Sequence, residues 1–442
     1  MLTWVRSRPW VQRSLLLAAL IGTVMHGYHI AFVRTPLIRD FDVHRIMGQR
    51  FLAHADVYDG GAGFGYPYMP IASMYFAPLA FFDRDIALAL RYTLAIICLC
   101  LTLIMCYRMA RVQSDTTPTA GLWMGAISIV LALQFILQDL DDGGPHLILL
   151  GILIAGIYSI WQGREKLGAL WFGLAIALKV TPALFLPFFL WKRRWKLAGC
   201  TVMATMCWIL LPVLYMGPSW WWSQQQAWTQ VAVGSVLGHE SPVTQANEQQ
   251  VRNQSLKQTL LRYLMIIPED HPLRQKDPGY APVLNLPPAA AKTVVLTVMA
   301  SLLAFFGWAT RRPYEGRGDP MWLRDSSALL IIALLLSPVT WVQHLVWLVP
   351  ALYLIAMDAR SKEGLSLPVK LAMALYVLLA VVLNYELLGR KNFSFFLTIH
   401  PFAIGMLLLL GILLFDRRHA AAGACSLSEQ GNRIVAREPK IQ

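Results

Sequence analysis

Charge is scarce in this sequence: 14% of its 442 residues are Asp, Glu, Lys or Arg, against 57% hydrophobic, and the mean hydropathy is +0.51. So little charge excludes a water-soluble globular domain of this length, because apolar runs on this scale are stable where lipid replaces water. Acidic residues are scarcer than basic ones, 25 against 38, which leaves a net charge of +13. In a soluble chain that excess points to nucleic acid. Here Arg and Lys gather in short loops between apolar runs and in the tails, which is a topology signal, so no nucleic-acid partner is expected. Cysteine is sparse: Cys98, Cys100, Cys106, Cys200 and Cys207 lie in apolar runs and Cys425 in the tail, with neither metal-ligand spacing nor a disulfide framework. No small-x-small cleavage site follows the apolar stretch after Arg6, Arg8 and Arg13, so that stretch reads as an uncleaved first helix with its N-terminus inside. Repeated halves are also lacking, which counts against a secondary transporter.

What is present is a succession of apolar runs punctuated by basic loops. From a first helix at about 14–33 the chain leaves the basic side into an external segment, 34–85. It returns through a helix at about 86–107, and helices at about 121–139 and 145–161 flank the turn Gln138 to His146. A second external segment covers 217–290, and the last helices lie at about 291–310, 367–385 and 397–415. With two doubled-back pairs this predicts an all-α polytopic protein of about twelve membrane helices. Residues 1–415 form one membrane unit and 416–442 a cytoplasmic tail. Arg390 and Lys391 are the main exception to the charge bias.

The two doubled-back stretches are the most informative. Each is flanked by positive residues and broken by a polar, proline-bearing knot: Lys179-Val180-Thr181-Pro182 in the first, Ser337-Pro338 through His344 in the second. Both ends of each stretch belong inside, so both knots point to the opposite face. A Lys and a His at membrane depth are costly without a task or a partner. For Lys179 an anionic group such as a lipid phosphate is one partner, and an internal ion pair the other. His344 reads either as a second donor to that anion or as a hydrogen-bonded core residue. Just past the first helix, Asp40 and His44 stand at i and i+4, on one face if the stretch is helical, with Asp42 pointing elsewhere. A carboxylate there suits a general base for an attacking hydroxyl, although ordinary juxtamembrane Asp/Arg pairs have the same pattern. Asn253 to Arg262 begins an amphipathic stretch, Trp220-Trp221-Trp222 reads as an interfacial belt, and Asp141 with Asp142 reads as a solvated turn before a cation site.

Five fragments stand in a telling order. They are Asp40-Phe41-x-Val43; Tyr66-Pro67 followed by Ala77-Pro78-Leu79; and Gly173-Leu174-Ala175 with Lys179 and Pro182 ahead of Trp191 to Trp195. Asn253-Gln254-Ser255-Leu256 follows, and then Leu336-Ser337-Pro338-x-x-Trp341 with His344 and Trp347. Together they resemble the polyprenol-phosphate-dependent glycosyltransferases of the GT-C class, specifically glycosyltransferase family 87, which contains mycobacterial alpha-mannosyltransferases. The resemblance spans roughly residues 14 to 415. Departures are His44 where the family often has Tyr, Tyr66-Pro67-Tyr68 for Tyr-Pro-Pro, Gln343-His344 for His-His, and Asp142 to His146 in place of a Gln-x-Asn element.

The resemblance implies a GT-C fold and a transfer with inversion, mannose being the sugar, from a polyprenyl-phosphate donor to a lipid or glycan acceptor. Asp40 would be the catalytic base, with His344 in the same site. Arg45, His44, Tyr66, Lys179, Asn253, Gln254 and Trp341 would bind substrate. No cofactor or metal is assigned beyond the lipid-linked donor. The protein would lie in the cell membrane with its site facing outside or the periplasm. A secondary transporter or a lipid-linked-sugar flippase is the competing reading.

Overall fold

The computed structural model describes residues 9–33, 40–58, 68–111, 117–232, 252–266, 282–360 and 364–415. Every element among them is helical. In chain order these are α1 (Pro9–Tyr28), α2 (Asp40–Leu52), α3 (Pro70–Phe76), α4 (Arg84–Ala110), α5 (Pro118–Leu131), α6 (Leu133–Asp142), α7 (His146–Trp161) and α8 (Glu165–Leu178). Then come α9 (Phe185–Trp191), α10 (Trp195–Leu210), α11 (Val213–Ala232), α12 (Leu256–Leu264) and α13 (Pro288–Ala309). The last are α14 (Trp322–Leu336), α15 (Val349–Asp358), α16 (Leu367–Val377), α17 (Tyr385–Leu397) and α18 (Pro401–Phe415).

Among the described residues, only α4 and α13 are long and apolar enough to cross a membrane alone, and counting three bent pairs as single spans brings the number to five. About twelve spans were expected. Apolar helices stand near the expected places, but most are of 10–17 residues, and at 1.5 Å per residue these fall short of a hydrocarbon core about 30 Å thick. The helix expected at 121–139 is instead α5 and α6, bent by 68° at Ala132. A 90° bend between α10 and α11 falls at Pro212, which cannot continue a helical ladder. The chain turns by 93° between α16 and α17, and α17 is kinked at Gly389. Arg390 and Lys391 follow that kink, so they do not lie on a straight continuation of α16.

Both knots break as their sequences demand. α8 stops at Leu178, Lys179 is extended at φ −149°, ψ 127°, and a 3₁₀ turn containing Pro182 (Thr181–Leu184) leads into α9. α14 stops at Leu336, and a 3₁₀ segment, Val342–Leu348, leads into α15. α7 and α14 are buried along nearly their whole length, the mark of central helices. α7 packs between α4 and α8, and α8 packs in turn on α10.

Candidate active site

The site is assembled around the first residue of α2. That helix is clamped at both ends. Arg84 grips Asp42 through two bonds, Nε to Oδ1 at 2.7 Å and Nη2 to Oδ2 at 2.9 Å, and Arg45 donates to the Phe82 carbonyl at 2.9 Å. Beyond the far end, the Trp220 indole donates to the Ala55 carbonyl, and Gln224 accepts from the Val57 amide. The near end rests on Gly143, which closes α6 in the left-handed region at φ 68°. A Cβ at that position would come within 2.4 Å of the Phe41 Cβ. Only glycine allows α2 to approach this closely, and that approach delivers Asp40 to the mouth of the site.

Asp40 keeps an exposed carboxylate and accepts from the Gln343 amide at 3.4 Å. The protein massed around it costs the carboxylate hydration, which raises its pKa above the usual value. The Gln343 bond and the Lys179 and Arg91 charges pull the other way. One turn on, His44 is buried, stacked on Phe76 at 4.2 Å and edge-on to Tyr68 at 5.1 Å. Burial, with Arg91 and Lys179 nearby, pushes its pKa down to about 3, so it is a neutral ring at physiological pH.

Gln343 leads to the second wall. Its neighbour His344 places Nε2 3.3 Å from Lys179 Nζ, so the two knots, 165 residues apart in sequence, meet in one contact. The other ring nitrogen, Nδ1, accepts from the Trp341 amide at 3.3 Å. With Nε2 unprotonated the contact is a direct hydrogen bond from Lys179; with Nε2 protonated the two groups face each other as donors, a pair that an anionic oxygen within reach of both would satisfy.

Behind them is an arrangement that the sequence reading did not anticipate. Asp139 on α6 is fully buried, accepts from the His146 and Leu147 amides at the start of α7, both at 3.2 Å, and pairs with Arg91 on α4 at 3.1 Å. Arg91 spends only Nη2 on Asp139, so its Nε and Nη1 are buried without a hydrogen-bond partner. His146 is also buried, its Nδ1 has no partner, and its ring meets that of His344 at 4.2 Å. These three nitrogens are buried behind Lys179 and His344, where Arg91 adds positive charge. A narrow apolar crevice is lined by Tyr75 and Phe76 of α3, Ile148 and Ile152 of α7, and Lys179.

The expected site residues thus divide. Asp40, His44, Lys179, His344 and the half-buried Trp341 come together. Arg45 does not join them, since its guanidinium is bonded to Phe82. Asn253 and Gln254 are fully enclosed and serve the second knot. Asn253 donates to the Pro338 carbonyl and accepts from the Thr340 and Ser255 amides; Gln254 donates to the Leu397 carbonyl and accepts from the Phe402 amide. Asp141 and Asp142 engage His26 and Gln138. Tyr66 lies outside the described residues, as does 416–442.

Residues 66–338 match the family model described as Glycosyltransferase family 87. That interval holds Arg91, Asp139, His146 and Lys179, while Asp40 and His344 lie outside it. The chain is similar to two proteins described as polyprenol-phosphate-mannose-dependent alpha-(1-2)-phosphatidylinositol mannoside mannosyltransferases. One, from Mycolicibacterium smegmatis, is 25% identical over 379 residues, 80% of this chain and 77% of that protein. The other, from Mycobacterium tuberculosis, is 25% identical over 360 residues, 76% and 74% of the two chains. A pentamannoside mannosyltransferase of Mycobacterium tuberculosis is 24% identical over 300 residues, 68% of this chain and 60% of that protein. No solved structure matches the chain.

Proposed function

This chain belongs to glycosyltransferase family 87, and on that premise we propose that it moves a mannosyl residue from polyprenyl-phosphate mannose to a hydroxyl of a lipid or glycan acceptor. The observation that carries this reading is the pairing of an open carboxylate, Asp40, with a facing Lys179–His344 contact, the two linked through Gln343. A phosphate is a good leaving group at neutral pH. The reaction therefore needs a base for the acceptor and cations for the departing phosphate, but no strong general acid.

Asp40 takes the proton of the acceptor hydroxyl as its oxygen bonds to the anomeric carbon. The bond from that carbon to the phosphate oxygen breaks, and the electron pair stays on the phosphate. Lys179 and His344 hold that charge, with Arg91 and His146 behind them supplying the orphaned nitrogens. One displacement inverts the anomeric carbon. His44 and Trp341 stand beside the sugar's place, and the donor tail approaches past the apolar residues Tyr75, Ile148 and Ile152 that lie near Lys179. The distribution of basic loops along the sequence supports a site on the opposite, external face of the cell membrane.

The test is a donor panel. Purified protein in lipid is given labelled polyprenyl-phosphate mannose, glucose and arabinose with membrane lipid as the acceptor pool. Transfer from the mannose donor with inverted product supports the reading. Transfer only from another sugar overturns the donor assignment, and sugar-lipid translocation without transfer overturns the enzyme reading in favour of a flippase.

A further inference from the structure

Away from the site, at the turn between α9 and α10 and the end of α13, five cations crowd together: Lys192, Arg193, Arg194, Arg311 and Arg312. Three are matched to acids. Lys192 is buried and donates to Asp325 at 2.6 Å and to the Thr310 and Arg312 carbonyls at 2.7 Å, which staples this turn to the end of α13. Arg194 pairs with Glu165, and Arg312 with Glu315. Arg193 and Arg311 have no acidic partner among the described residues, and both line one recess of ≈ 600 Å³.

The rest of the recess is amphiphilic. Pro187 and Leu190 form its apolar part, and Trp191 and Trp195, 51% and 67% exposed, flank it. Trp191 is fixed by its indole bond to the Gly307 carbonyl at 3.1 Å, and Arg311 lies 4.9 Å from the ring centre of Trp308, itself 59% exposed. Exposed Trp beside Arg marks the level of lipid headgroups. A second observation is independent of charge. Arg193 sits in the left-handed region at φ 58°, where a Cβ is strained. The bonds closing this turn, Arg193 to Leu190 and Arg194 to Phe189, recur at the end of α7, where Gly163 takes the same position at φ 80°. The position calls for glycine, yet here it holds an arginine that lines the recess.

We propose that this recess is a binding site for an anionic glycerophospholipid of the membrane leaflet on the basic face. Arg193 and Arg311 grip the phosphate, the tryptophans flank the glycerol backbone, and the acyl chains run down the apolar surface of α9. Two guanidinium groups suit a phosphate because each offers a planar pair of donors. The apolar part of the recess and the tryptophan rim favour a lipid over a free anion.

The test reads thermal unfolding of the delipidated full-length protein in a neutral detergent, titrated with phosphatidylglycerol, phosphatidylcholine or soluble glycerol 3-phosphate. It needs no transfer activity, so its outcome is independent of the enzyme reading. Phosphatidylglycerol should raise the wild-type midpoint by about 2 °C or more at saturation, with little effect from the other two. Without lipid, Arg193→Gly should unfold at or above the wild-type temperature, because glycine relieves the strained turn, so a failure to fold does not confound the comparison. The Arg193→Gly, Arg311→Gln double variant should lose the phosphatidylglycerol shift. An equal shift from phosphatidylcholine, a full shift from glycerol 3-phosphate, or a shift that survives in the double variant would overturn the proposal.

Discussion

Replacing Gly143 with alanine tests how Asp40 is delivered. The substitution adds two costs. A Cβ at φ 68° costs about 1–2 kcal/mol. That Cβ would also stand 2.4 Å from the Phe41 Cβ, whereas ordinary contact begins at 3.4 Å, so α2 and α6 must separate by about 1 Å. Forced overpacking adds about 1–3 kcal/mol. Because Asp40 precedes Phe41, the displacement falls on the carboxylate itself, and a shift of that size in a reacting group lowers turnover about 100-fold. The control is Gly163→Ala, at the left-handed residue that ends α7, with φ 80° and nothing nearer than 3.7 Å to the added Cβ. The assay is mannosyl transfer from polyprenyl-phosphate mannose, alongside unfolding midpoints. Gly143→Ala should lose turnover with a nearly unchanged donor KM, while Gly163→Ala should lose only the backbone increment of stability. Equal turnover in the two variants would refute the close approach as the device that places Asp40.

Other consequences are separable. Lys192→Met should destabilise the protein by about 3–5 kcal/mol by stranding the buried Asp325 carboxylate, and Lys192→Met with Asp325→Leu should recover most of it; chemical unfolding measures both. Asn253→Ala removes two bonds to the backbone of the second knot and one to the Ser255 amide and should cost about 2–4 kcal/mol, with turnover falling further than donor affinity. Asp40 works deprotonated, and the hydration it loses to the protein around it holds its pKa above the ordinary 3.8, so the acid limb of kcat/KM should lie above that of an ordinary carboxylate. Gln343→Ala removes a bond that favours the carboxylate and should move that limb to still higher pH.

The parts legible in the sequence are those where one residue has one physical meaning. A proline beside a polar residue in an apolar run must break the helix, so both knots stand where Pro182 and Pro338 put them. Asp40 and His44 were legible as a pair because helical spacing is local. The bend at Ala132 was not, since alanine is a good helix former and nothing nearby breaks the ladder. Arg91 was not singled out, because its partner Asp139 lies 48 residues away. One signal was available: a single Arg inside an apolar run needs an acidic partner. Asn253 and Gln254 read as ligand contacts in the sequence; in the structure the Asn253 side chain bonds the backbone of the second knot and the Gln254 side chain that of the turn between α17 and α18, partners that are distant in sequence.

The most direct test of the account is single-turnover transfer by Asp40→Asn beside wild type, with polyprenyl-phosphate mannose binding measured on the same preparations. Donor binding retained within a few-fold and transfer abolished is the predicted result, because asparagine keeps the shape and the Gln343 contact but cannot take the acceptor's proton. Transfer within about tenfold of wild type would contradict the assignment of Asp40 as the base.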